Sequence, residues 1–120
     1  MPMHIAIVFS PDYSSELQKL AFHTPVWLVD TPANHAAAEE AWRAAIEWPH
    51  ITVTLFRPPE EHVTKEDWST LLEQISFRER ALDSVDVIGA PLSLVARAAL
   101  TEAGLARFEE TSSGFRAKRA

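Results

Sequence analysis

The chain has 120 residues, 47% hydrophobic and 23% charged, a balance that excludes disorder and suits one domain with a real core. It contains no cysteine, which rules out a disulfide framework, a thiol nucleophile and a cysteine zinc site. A net charge of −6 argues against nucleic acid as partner, and no apolar run nears the ~20 residues of a membrane helix. The start Met1-Pro2-Met3-His4 lacks a basic leader, so the expectation is a cytoplasmic protein without a signal peptide.

His4 to Phe9 is a nearly unbroken apolar run, the pattern of a strand buried on both faces, and Ser10-Pro11-Asp12 breaks it. Tyr13, Leu17 and Leu20 then fall at helical intervals, with Asp12 or Ser14 as N-cap, until His23-Thr24-Pro25. Val26 to Val29 predicts a second buried strand. Thr31-Pro32 follows Asp30 as a helix start, Thr31 at N-cap and Pro32 at N1. That helix is expected to reach about Trp48, with Ala38, Trp42, Ala45 and Ile46 inward and Glu39 beside Arg43. Its many alanines predict close approach to the sheet.

Ile51, Val53 and Leu55 alternate with Thr52 and Thr54, the period of a strand with one wetter face, read as an edge strand. Arg57 to His62 is a loop kept extended by Pro58 and Pro59. Thr64 and Asp67 form a capping-box pattern, and Trp68, Leu71, Leu72 and Ile75 give the apolar face of a helix drawn to roughly Leu82. Val85 to Ile88 is a fourth strand, and Pro91 opens a helix with Leu92, Val95, Ala96, Ala99 and Leu100 inward. Gly104 at C′ and Leu105 at C″ predict a Schellman ending. Residues 107–120 read as a terminal hairpin, a fifth strand or a frayed tail, and carry the basic cluster Arg107, Arg116, Lys118 and Arg119. That cluster is read as a solubilising terminus, with a basic arm for an acidic partner as the alternative.

Strands alternating with helices predict an α/β fold, a three-layer sandwich with a mostly parallel four-stranded sheet. The order 3-2-1-4 is favoured and 2-1-3-4 is the alternative, because the two fully apolar strands belong in the centre. Ligands in such sheets bind past the carboxyl ends of the strands. The candidate ligand-binding residues there are Ser10, Asp12, Tyr13, Asp30, Thr31, Asn34, His35, Arg57 and His62.

With glycine only at 89, 104 and 114, no phosphate-cradling loop exists, so NAD-type and P-loop binding are excluded and no cofactor is expected. A nucleophile elbow is missing, and Arg57 stands where a phosphoacceptor receiver domain needs an aspartate. His35 and His62 lack any paired-ligand spacing, so no metal is assigned. Trp27, Trp42, Trp48 and Trp68 are a surplus of indole, of which Trp42 and Trp68 are expected to pack in the core.

The leading expectation is a small module acting through protein contacts or self-association, as a homodimer through the strand carrying Thr52 and Thr54. A small polar or anionic ligand at the strand ends is the second expectation. A hydrolase or transferase using Asp30, His35 or His62 is the third, and whether the chain is an enzyme stays open.

Overall fold

The computed structural model describes residues 3–9, 11–20, 25–48, 51–78 and 82–119; Ser10, His23, Pro49 and His50 lie outside the described residues. In chain order it has β1 (Met3–Val8), α1 (Tyr13–Lys19), β2 (Pro25–Val29), a 3-10 turn (Pro32–Asn34), α2 (His35–Ala45) and β3 (Thr52–Phe56). Then follow α3 (Lys65–Arg78), β4 (Leu82–Ile88), α4 (Leu94–Glu102), β5 (Arg107–Glu110) and β6 (Gly114–Lys118).

All six strands form one mixed sheet in the order β3-β2-β1-β4-β6-β5. The pairs β3–β2, β2–β1 and β1–β4 are parallel, so the favoured 3-2-1-4 order stands inside it. The four-stranded sheet expected from sequence is corrected to six, because the terminal segment folds back antiparallel on β4 and pairs with itself. The reason is burial. Phe115 and Ala117 are fully buried beside Val85 and Val87, apolar area that β4 would expose as an edge. The turn is tied by Gly114 N–H donating to the Thr111 hydroxyl at 3.1 Å. A Cβ at Gly114 would stand 2.0 Å from the Val87 carbonyl oxygen, so only glycine lets the hairpin lie this close to β4.

Strand alternation divides the core into two layers. Ile5, Ile7, Trp27, Val29, Val85, Val87 and Phe115 face α3 and α4, meeting Trp68, Leu71, Ile75, Ala99 and Leu100. Ala6, Val8, Val26 and Leu28 face α1 and α2, meeting Tyr13, Leu17, Ala38, Ala41 and Ala45. The close approach of α2 is realised through those alanines. The stripe differs from expectation: Trp42 is half-buried and Ile46 is 64% exposed, because the face lined with methyl groups is the one that fits against the sheet. Trp27 and Trp68 are both buried, and Trp48 stays exposed.

Helix ends follow their caps. Thr64 and Asp67 form the reciprocal box, with Asp67 N–H on the Thr64 hydroxyl at 3.2 Å and Thr64 N–H on the Asp67 carboxylate at 2.9 Å. The end drawn at Leu82 is corrected to Arg78, and Leu82 opens β4 instead. The start drawn at Pro91 moves to Leu94, because the Ser93 hydroxyl caps the Ala96 N–H at 3.1 Å. At the far end Leu105 N–H bonds the Leu100 carbonyl at 2.9 Å and Gly104 N–H the Thr101 carbonyl at 3.0 Å, the full Schellman pair, with Gly104 at φ 90°.

Candidate functional site

At the carboxyl end of β2 the chain leaves the sheet at Asp30, whose side chain is fully buried rather than solvated as expected of a loop acid. Burial of a carboxylate requires charged or donating partners, and two expected site residues supply them. His35, the first residue of α2, brings Nδ1 to 3.0 Å from both carboxylate oxygens. Arg57, one residue past β3, donates Nε at 2.9 Å. Two parallel strands therefore end side by side, with the acid of one held by the cation of the other.

Tyr13 is buried beneath the same rim, and its hydroxyl donates to the Val29 carbonyl at 2.5 Å. Burial pushes its pKa from 10.0 up to about 12; a hydrogen bond with Asn34 works the other way, and the charges of Asp30 and Glu61 add to the rise. Glu61 accepts the Ala33 N–H at 3.0 Å, fastening the loop before α3 to the 3-10 turn. Thr31 is expected to open a helix with Pro32 at N1 that reaches about Trp48; the helix α2 instead spans His35–Ala45, leaving a 3-10 turn after Thr31. Thr31 occupies the N-cap position of that turn without a side-chain cap bond, and its buried hydroxyl oxygen has no partner among the described residues. Asp12 stands at the N-cap of α1, likewise without a side-chain cap bond, and His62 is exposed in the loop after β3.

Of the expected site residues, Tyr13, Asp30, Asn34, His35 and Arg57 thus gather around one buried carboxylate. Glu39 and Glu61 join them, although neither is among the expected ligand-binding residues. Glu39 was legible in hindsight, since it stands one turn after His35 and takes Nε2 at 3.0 Å. Nothing near Glu61 signals its long-range partner. Both nitrogens of His35 face carboxylates, which leaves neither open to a substrate proton. The arrangement anchors loops more readily than it does acid–base chemistry. No group of three or more metal-ligating side chains occurs among the described residues.

The two sheet edges offer a second site. β5 is guarded by Arg107, Glu109 and Glu110, whereas β3, Thr-Val-Thr-Leu-Phe, carries no charge and no proline. Asp30 N–H bonds the Phe56 carbonyl at 2.8 Å, so Phe56 turns its polar backbone toward β2. By alternation Thr52 and Thr54 do the same, and Val53 and Leu55 present N–H and C=O outward. An open groove of about 670 Å³ follows this edge, with Trp42 of α2 on one bank and Thr70, Gln74 and Arg78 of α3 on the other. Arg78 reaches the Thr54 hydroxyl at 3.4 Å and lies 5.7 Å from the centre of the Trp27 ring.

Comparison with family models, curated proteins and solved structures yields no match, so the reading below rests on the chain's own geometry. No helix among the described residues is long and apolar enough to cross a membrane.

Proposed function

We propose that this chain acts by self-association, a second copy adding its β3 antiparallel to the free edge of the first. The observation that carries the reading is the contrast between edges: β5 is charged, while β3 is bare and has Trp42 beside it. A two-fold axis through Thr54 is self-complementary. It sets Val53 opposite Leu55 of the other copy twice over, the two residue types whose backbone groups point outward. Each such pair exchanges two hydrogen bonds, and one sheet runs through both copies. Trp42 and the exposed Ile46, one turn further along α2, supply apolar surface to the contact. With each copy at −6, long-range repulsion opposes encounter, so the dimer tightens as salt is added.

Sedimentation velocity at tens of micromolar tests this, with Val53→Pro as the discriminating variant. Proline removes the outward N–H of Val53 without touching the bonds to β2. Wild type is expected as a dimer, and Val53→Pro as a monomer with an unchanged circular-dichroism spectrum. A monomeric wild type, or a variant that still dimerises, refutes the proposal.

A further inference from the structure

The basic residues of the C-terminal segment, which neither the rim nor the β3 edge uses, are gathered on one patch of sheet. The helical layer formed by α1 and α2 ends at β4, and past it β4, β6 and β5 present polar side chains to an open depression of about 600 Å³. Strand register sorts these side chains into rows. Asp86, Arg116 and Glu109 lie in one row, two carboxylates to one guanidinium: Asp86 holds Arg116 Nε at 2.5 Å, and Glu109 lies 3.4 Å from Arg116 Nη1.

The neighbouring row, His4, Ser84, Lys118 and Arg107, does not balance itself. Arg107 stands directly opposite Lys118, a like-charge cross-strand pair that costs stability. Lys118 reaches diagonally to Glu109 at 3.2 Å, while Arg107 has no ion-pair partner among the described residues. Arg119, one residue past β6, spends Nε and Nη2 on the Leu82 carbonyl, an uncharged acceptor. Arg107, Arg116, Lys118 and Arg119 thus line the depression against Asp83, Asp86 and the Glu109 that Arg116 and Lys118 share, four cations to three carboxylates, which leaves one positive charge in excess on a chain of net −6. At the centre of the row is Ser84, 4% exposed, with its hydroxyl hydrogen-bonded to the His4 imidazole.

We infer that this row binds the phosphate group of a small soluble phosphate ester or pyrophosphate. Arg107 supplies a planar fork, Lys118 a point charge, and the Ser84–His4 pair one further donor, the hydroxyl or the ring Nε2 according to which of the two gives its proton to the other. The anion offsets the repulsion between Arg107 and Lys118. A nucleic-acid backbone does not fit, because it needs a basic stripe many phosphates long, whereas this depression is small and the chain as a whole carries −6.

Titration calorimetry with inorganic pyrophosphate and with a sugar phosphomonoester, in chloride buffer of matched ionic strength, tests the inference. Saturable binding is expected for wild type. It should weaken roughly tenfold or more in Arg107→Gln and in Lys118→Ala, as loss of a charge-assisted bond implies. Arg43→Ala, which removes an exposed cation from α2, should bind like wild type. Because Arg107 is exposed, its variant retains the fold and keeps the experiment decisive. The inference is overturned by heats no larger than chloride's, by unchanged affinity in Arg107→Gln, or by binding of an oligonucleotide in place of pyrophosphate.

Discussion

Tyr13 is the only tyrosine in the chain, which makes its ionisation readable in isolation. Its hydroxyl is buried under the rim and donates to the Val29 carbonyl, and its pKa stands at about 12 against 10.0 in the open chain. The folded state therefore holds the phenolic proton more tightly than the unfolded state does. The stabilisation from this difference is complete below pH 10 and is lost as pH rises from 10 to about 12. At about 1.36 kcal/mol per unit, the loss across that window is roughly 2–3 kcal/mol.

Tyr13→Phe removes the donor that Tyr13 gives the Val29 carbonyl, at an expected cost of about 1–3 kcal/mol at neutral pH. The gap between wild type and Tyr13→Phe should hold constant to pH 10 and then shrink, since the phenylalanine protein has no phenol to titrate. Urea unfolding followed by tryptophan fluorescence gives both stabilities, and absorbance in the tyrosinate band gives the ionisation directly. Tyrosinate appearing in the folded protein with a midpoint near pH 10 refutes the reasoning. So does a neutral-pH cost under about 0.5 kcal/mol, because a buried carbonyl cannot lose its donor that cheaply.

Two further outcomes follow from the packing. The double variant His35→Ala/Arg57→Ala should lose more stability than Asp30→Ala, by at least about 1 kcal/mol in urea unfolding. It strands a buried carboxylate, whereas Asp30→Ala only returns two half-exposed side chains to water; equal losses would mean that the carboxylate finds water. Gly114→Ala should be among the most damaging single-methyl additions, costing more than about 2 kcal/mol in thermal melts, since its Cβ meets backbone rather than a flexible side-chain tip. A melt within a degree or two of wild type would show that the hairpin can step back from β4.

The parts legible in the sequence share a local cause. The Thr64–Asp67 box, the Gly104–Leu105 ending and the Glu39–Arg43 pair each depend on residues within about five positions of one another, and each forms as read. The parallel order 3-2-1-4 was legible too, because hydrophobic continuity in Ile5–Phe9 and Val26–Val29 marks them as central. Pro91 is the louder start signal in the sequence, yet α4 begins where the Ser93 hydroxyl meets a free N–H.

What the amino-acid order determined by itself was therefore which segments are strands and helices as far as α4, that the first two strands are buried, and that the strand ends gather polar residues. Only the tertiary structure decided that Asp30 is buried between His35 and Arg57, that Trp42 is half-buried beside the uncharged β3 edge while Ile46 is exposed, and that four basic residues share one patch with Ser84. The physical reason is range. Caps and periodicity act within a turn or a strand and are written in adjacent letters. Charge pairing, edge exposure and cross-strand rows depend on which segments become neighbours, and the hairpin docking on β4 settles that through burial of Phe115 and Ala117.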